Sequence, residues 1–101
     1  MALEIEPSGE GLRLRGEVDL STAEAFAHAL RERIDAGGSV TVDLSEVTFM
    51  DSTGVKALIV ATHQLVPGEE LVLREPSPPL QRLFELTRLD HVPGIRVVRS
   101  G

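Results

Sequence analysis

The sequence predicts an α/β domain with a mixed, largely parallel β-sheet, an N-terminal antiparallel hairpin and about three to four helices. Short apolar alternations recur at residues 3–6, 12–16, 40–44, 71–73 and 95–98. Helical periodicities fill the three long gaps after the second of these. The order is therefore hairpin, then helix and strand three times over. Such an order needs crossover connections, and crossovers give parallel pairing.

Each element has its own signal. Leu3-Glu4-Ile5-Glu6 alternates as an edge strand, residues 7–11 (Pro-Ser-Gly-Glu-Gly) are turn formers, and Leu12 and Leu14 share one face of the next strand. Ser21 and Glu24 have the spacing of a capping box, with Ser21 at the N-cap. Ala23, Phe26, Ala27, Leu30 and Ile34 then fall on one helical face, and Gly37-Gly38 stops the helix. Val40, Val42 and Leu44 alternate as a third strand, and a polar loop is expected from Ser45. A second helix carries Val55, Leu58, Ile59, Thr62 and Leu65 inward and ends at Pro67-Gly68. Leu71-Val72-Leu73 is a fourth strand. Pro78 or Pro79 suits the first turn of a third helix, whose inner face is Leu80, Leu83, Phe84 and Thr87. Ile95, Val97 and Val98 make the last strand.

Composition narrows the function. A chain of 101 residues with 42% hydrophobic content fits one domain over 1–101. A net charge of −6 disfavours direct binding to nucleic acid or to anionic membrane surfaces. The absence of cysteine rules out disulfides, thiol catalysis and thiolate zinc sites, and fits a reducing cytoplasm. No signal peptide or membrane span is read. No cofactor is expected. The short length and the lack of an apolar surface stripe suggest a monomer when free.

The chemistry is concentrated in Asp51-Ser52-Thr53-Gly54, at the start of the second helix. Two readings of the local pattern stand side by side. Asp51 or Ser52 is a helix cap and Gly54 a point of close approach. Alternatively, Ser52 is a phospho-acceptor at a helix N-terminus, where free N–H groups and the helix dipole favour an anion.

The run Val42-Asp43-Leu44-Ser45-Glu46-Val47-Thr48-Phe49-Met50-Asp51-Ser52-Thr53-Gly54-Val55 resembles the signature of the STAS domain (sulfate transporter and anti-sigma factor antagonist). Residues 16–23, 71–74 and 83–90 resemble three further segments of that family, in the same order. The resemblance implies an anti-sigma factor antagonist that works by partner switching to regulate transcription, as in bacterial stress responses and sporulation. Its unphosphorylated form binds an anti-sigma factor that is also a serine kinase of the histidine-kinase-like ATPase fold, freeing the sigma factor. Phosphorylation of Ser52, or less favourably Thr53, ends binding, and a metal-dependent serine phosphatase restores it. Asp19, Asp51, Ser52, Thr53 and Gly54 match positions of the partner-binding surface. Two residues depart from the family pattern: Lys56 stands where many relatives have a small residue, and Arg88 where a glycine is common.

Rival classes fit less well. An enzyme is not expected. Ser52 lacks a Gly-x-Ser-x-Gly elbow, since Met50 stands at its first glycine. His28, His63 and His91 have no metal-ligand spacing, and Gly37-Gly38 lacks the lysine and hydroxyl of a P-loop. A STAS interaction module in a signalling scaffold, or a soluble subunit of a lipid or anion transport assembly, is the alternative.

Overall fold

The computed structural model describes residues 2–9 and 11–100. Its single sheet has five strands in the order β1-β2-β3-β4-β5. They are β1 (Leu3–Ser8), β2 (Gly11–Val18), β3 (Val40–Met50), β4 (Leu71–Arg74) and β5 (Ile95–Val98). β1 pairs antiparallel with β2, and every other pair is parallel. Helices α1 (Ala23–Asp35), α2 (Ser52–Thr62) and α3 (Pro78–Leu86) provide the crossovers, and a short 3₁₀ turn over Leu89–His91 follows α3. The expected class is thus found.

Strand order follows chain order, so each crossover steps the same way across the sheet. Crossovers are right-handed, and successive steps in one direction stack their helices on one face. Burial shows the result. Leu12, Leu14, Val42, Leu44, Leu71 and Leu73 share one core with Phe26, Leu30, Leu58, Leu80 and Phe84. The other face is open and laced with charge. Arg13 meets Asp43 at 3.6 Å, and Arg15 meets Glu4 at 3.6 Å and also pairs with Glu46.

Several boundaries differ from expectation. β1 runs on through Pro7 and Ser8, and Ser8 pairs with Gly11. Proline is tolerated there because β1 is an edge strand. Glu10 of the expected turn lies outside the described residues.

β3 does not give way to a polar loop at Ser45. It continues to Met50, and its inward residues are Val40, Val42, Leu44, Val47 and Met50. The spacing changes from two to three because β3 bulges twice against β2. The residues Asp43 to Glu46 lie opposite Arg13 to Arg15, and Val47 to Phe49 opposite Gly16 to Glu17. Each bulge adds one unpaired residue and breaks the alternation.

α1 starts one residue later than the capping box implies. Its N-cap is Thr22, and the Ser21 hydroxyl turns back to Asp19. α2 ends at Thr62, before Pro67. The Thr62 hydroxyl donates to the Ile59 carbonyl at 2.6 Å, and tight turns at His63, Gln64 and Leu65 unwind the chain. Leu65 therefore packs from the turn beyond the helix, and Ala61 takes an inner position that sequence reading did not assign. Thr87 is the exposed C-cap of α3, outside its inner face.

Arg88 follows that cap with φ 59° and ψ 28°, a left-handed conformation suited to glycine. An L-residue there costs about 1–2 kcal/mol, of which glycine's greater chain entropy returns about 0.5–1 kcal/mol. Arg88→Gly is therefore expected to stabilise the fold by about 0.5–1 kcal/mol in urea unfolding. A loss of stability would mean that the arginine side chain contributes more than its backbone strain removes.

Candidate functional site

The site forms where two parallel strands end together. Val18 of β2 and Met50 of β3 are paired. The next residue, Asp51, donates its N–H to the Val18 carbonyl at 3.1 Å. From this point one chain turns towards α1 and the other into α2. The loop at residues 19–22 and the first turn of α2 therefore share one end of the sheet, where α/β folds place their sites.

Asp51 is the N-cap of α2. Its Oδ1 accepts the Thr53 N–H at 2.9 Å and also the Thr53 hydroxyl. Its carbonyl accepts the N–H groups of Gly54 at 3.1 Å and Val55 at 3.3 Å. Asp51 thus satisfies two of the N–H donors that a helix start leaves open, those of Thr53 and Gly54, and accepts the first regular helical bond from Val55.

Ser52 is the first residue of α2 and is exposed. Among the described residues neither its hydroxyl nor its N–H has a protein partner. Thr53 differs: it is half-buried, and its hydroxyl proton is held by Asp51. The two neighbouring hydroxyls are therefore unequal in access and in hydrogen bonding.

Gly54 is buried, and the close approach it permits is internal. A Cβ there would lie 2.6 Å from Met50 Cγ and 2.8 Å from Val18 Cγ1. The glycine lets α2 settle onto the ends of β2 and β3; it does not present a surface to a partner directly.

Asp19 organises the neighbouring loop. Its Oδ1 accepts the Ser21 N–H at 3.0 Å and the Ser21 hydroxyl at 2.7 Å. Its own N–H donates to the Thr22 hydroxyl oxygen at 3.0 Å, and that hydroxyl donates to the Glu17 carbonyl at 2.9 Å. The Ser21 hydroxyl, with the backbone N–H and Thr22 adding to it, holds the Asp19 carboxyl below its ordinary range. Thr22 and the Val18 carbonyl are the supports that sequence reading missed. An Asp three residues before a Thr is a signal for the first, since such side chains bond to nearby backbone. The second is visible only in the sheet.

Asp19, Asp51, Ser52 and Thr53 are thus brought to one end of the sheet, with Gly54 beneath them. His28, His63 and His91 are exposed on other elements. Among the described residues no three histidine, aspartate or glutamate side chains gather to hold a metal ion. No helix of the described residues is long and apolar enough to cross a membrane.

A family model described as "Mlab, STAS domain" matches residues 1–99. The chain belongs to the STAS domain family. It is similar to the anti-sigma-B factor antagonist of Listeria monocytogenes, with 39% identity over 87 residues, 84% of this chain and 76% of that one. It is also similar to the anti-sigma-B factor antagonist of Bacillus subtilis, with 30% identity over 92 residues, 89% of this chain and 84% of that one. The solved anti-sigma factor antagonist SpoIIAA in its unphosphorylated form shares the fold, with a TM-score of 0.76 at 23% identity over 99% of this chain and 89% of that one. In this STAS domain the shared sheet end is built on the bulged half of β3, which carries Asp51 to the rim.

The Asp19 loop is pH-sensitive in a defined direction. A carboxyl whose pKa falls on folding stabilises the folded state above its ordinary titration range. That contribution is lost as pH falls through the depressed value. In an NMR titration the Asp19 carboxyl should titrate below about 3.9, the ordinary aspartate value. Ser21→Ala should move its midpoint upward. A wild-type midpoint at or above the ordinary value would contradict the hydrogen bonding described.

Proposed function

We propose that this STAS domain is an anti-sigma factor antagonist switched by phosphorylation of Ser52. The names of its relatives support the antagonist role. The observation that carries the switch is the state of Ser52, an exposed and unengaged hydroxyl on the first residue of a helix whose start is already capped by Asp51. The partner is an anti-sigma factor serine kinase of the histidine-kinase-like ATPase fold. It binds the unphosphorylated antagonist and thereby releases its sigma factor, in the cytoplasm. Ser52 Oγ attacks the γ-phosphorus of ATP, the bond to the bridging oxygen breaks, ADP leaves and the hydroxyl proton passes to the kinase. A serine phosphatase hydrolyses the ester and returns the free form.

The effect of the phosphate follows from where it sits. The N-terminus of α2 tolerates an anion, and the dipole contributes about 0.3–1 kcal/mol in its favour when exposed. The helix should therefore survive. A partner docked over the tip meets an added charge of about −1.5 to −2 next to Asp51 and Asp19. Covering that charge without a counter-charge costs several kcal/mol. A loss of about 4 kcal/mol weakens binding nearly a thousandfold. The switch then needs no change of fold. Thr53 is the lesser candidate because its hydroxyl is already committed to Asp51.

Intact-mass analysis with ATP and the histidine-kinase-like serine kinases of the same cell tests this reading. A gain of one phosphate, absent in Ser52→Ala and retained in Thr53→Ala, is expected. Phosphate that persists in Ser52→Ala would reassign the acceptor. No phosphate with any such kinase would favour the scaffold or transport-subunit reading.

A further inference from the structure

Among the described residues five large apolar side chains stand exposed: Leu20, Phe49, Val60, Val66 and Leu86. Scattered singly, such residues are ordinary. Here Phe49 and Val60 lie on the elements either side of Ser52, Leu20 lies in the neighbouring loop at the same sheet end, and Leu86 shares a groove with Phe49. Leu20, 81% exposed, follows Asp19 in the loop before α1. Phe49 lies two residues before Asp51 and, with Leu86, lines an open groove of about 360 Å³ between the end of β3 and α3. A second open groove, of about 410 Å³, runs between α1 and α2 from Thr53 to Val60, floored by Ala23, Ala27 and Ala57. Val66 alone lies beyond the other end of α2.

Any protein that acts on Ser52 Oγ must cover its surroundings. A standard interface buries about 800 Å² on each partner, a disc of about 16 Å radius. Val60 is eight residues along α2 from Ser52, about 12 Å away. Phe49 is three residues back along the chain, at most about 11 Å away. Both grooves therefore begin inside the area that the kinase must occupy. Lys56 lines the first-helix groove and Arg82 the α3 groove. Glu24 lines the same first-helix groove as Lys56, so the two flanks are marked by their apolar grooves rather than by one sign of charge.

We infer that the two grooves are the anchoring sites for the anti-sigma factor kinase, which fills each with an apolar side chain. The inference rests on the reading of Ser52 as the switch, and it adds a division of labour. The flanking grooves supply affinity and the centre supplies regulation. Anchor variants should therefore weaken the unphosphorylated and phosphorylated forms by a similar factor, leaving the ratio between them unchanged.

The test is calorimetric titration with the kinase that phosphorylates the wild-type chain. It uses Phe49→Ser and Leu86→Ser in one groove, Val60→Ser in the other, and Val66→Ser as control. All four positions are exposed, and thermal melts establish that each variant folds. Each groove variant should bind at least about tenfold more weakly, as for a buried anchor, with Val66→Ser within about twofold. Leu86→Ser keeps the test decisive if Phe49→Ser disturbs β3. Groove variants that bind like the wild type, loss confined to one groove, or an equal loss in Val66→Ser would each overturn the inference. Wild-type protein that is phosphorylated normally while the groove variants bind unchanged removes this inference alone. Wild-type protein that no such kinase binds or phosphorylates removes the reading of Ser52, and this inference with it.

Discussion

Asp51 ties together three parts of the molecule. Its N–H reaches the end of β2, its carboxylate takes both donors of Thr53, and its carbonyl starts the hydrogen-bond ladder of α2. The strand that delivers it would otherwise be too regular. A strand without bulges keeps a period of two, and the 11 residues of β3 would then place their last members differently against β2. The two added residues turn Val47 inward and bring Met50, in place of Thr48, opposite Val18. Gly54 completes the arrangement from above, because any side chain there would collide with Met50 and Val18.

The one-sided cover of the sheet has a consequence for function. With all three helices on one face, the junctions at the C-terminal strand ends are the places where backbone turns sharply and side chains are held without being buried. Ser52 is held by its place as the first residue of α2, and among the described residues its hydroxyl has no protein partner. The acidic surroundings set the sign of the response. In the proposed switch, Asp19 and Asp51 add to the negative charge that a phosphate on Ser52 would bring to a docked partner.

Much of this was legible in the sequence, and the rest was hidden for physical reasons. The hairpin, the three crossovers, the helix face of α1 and that of α3 up to Phe84 were readable because a single buried face imposes clean periods of two and 3.6. The second half of β3 was not, because two bulges shift the period to three at Val47 and Met50. The end of α2 was misplaced because a threonine back-bond and a tight turn stop it before proline has the chance. The capping box at Ser21 failed because Asp19 competes for the same hydroxyl. At the site, the grouping of Asp19, Asp51, Ser52 and Thr53 was legible through the family resemblance. The inward direction of Gly54 was not, since a glycine signals close approach without saying to what.

Whether the phosphate acts only on the partner, leaving the helix tip folded, is measured most directly by amide hydrogen exchange along α2 in the free protein, with and without phosphate on Ser52. Protection from Val55 to Ala61 should be unchanged or slightly raised by the phosphate. Faster exchange through these residues would show that the modification melts the helix start, and the switch would then be conformational rather than electrostatic.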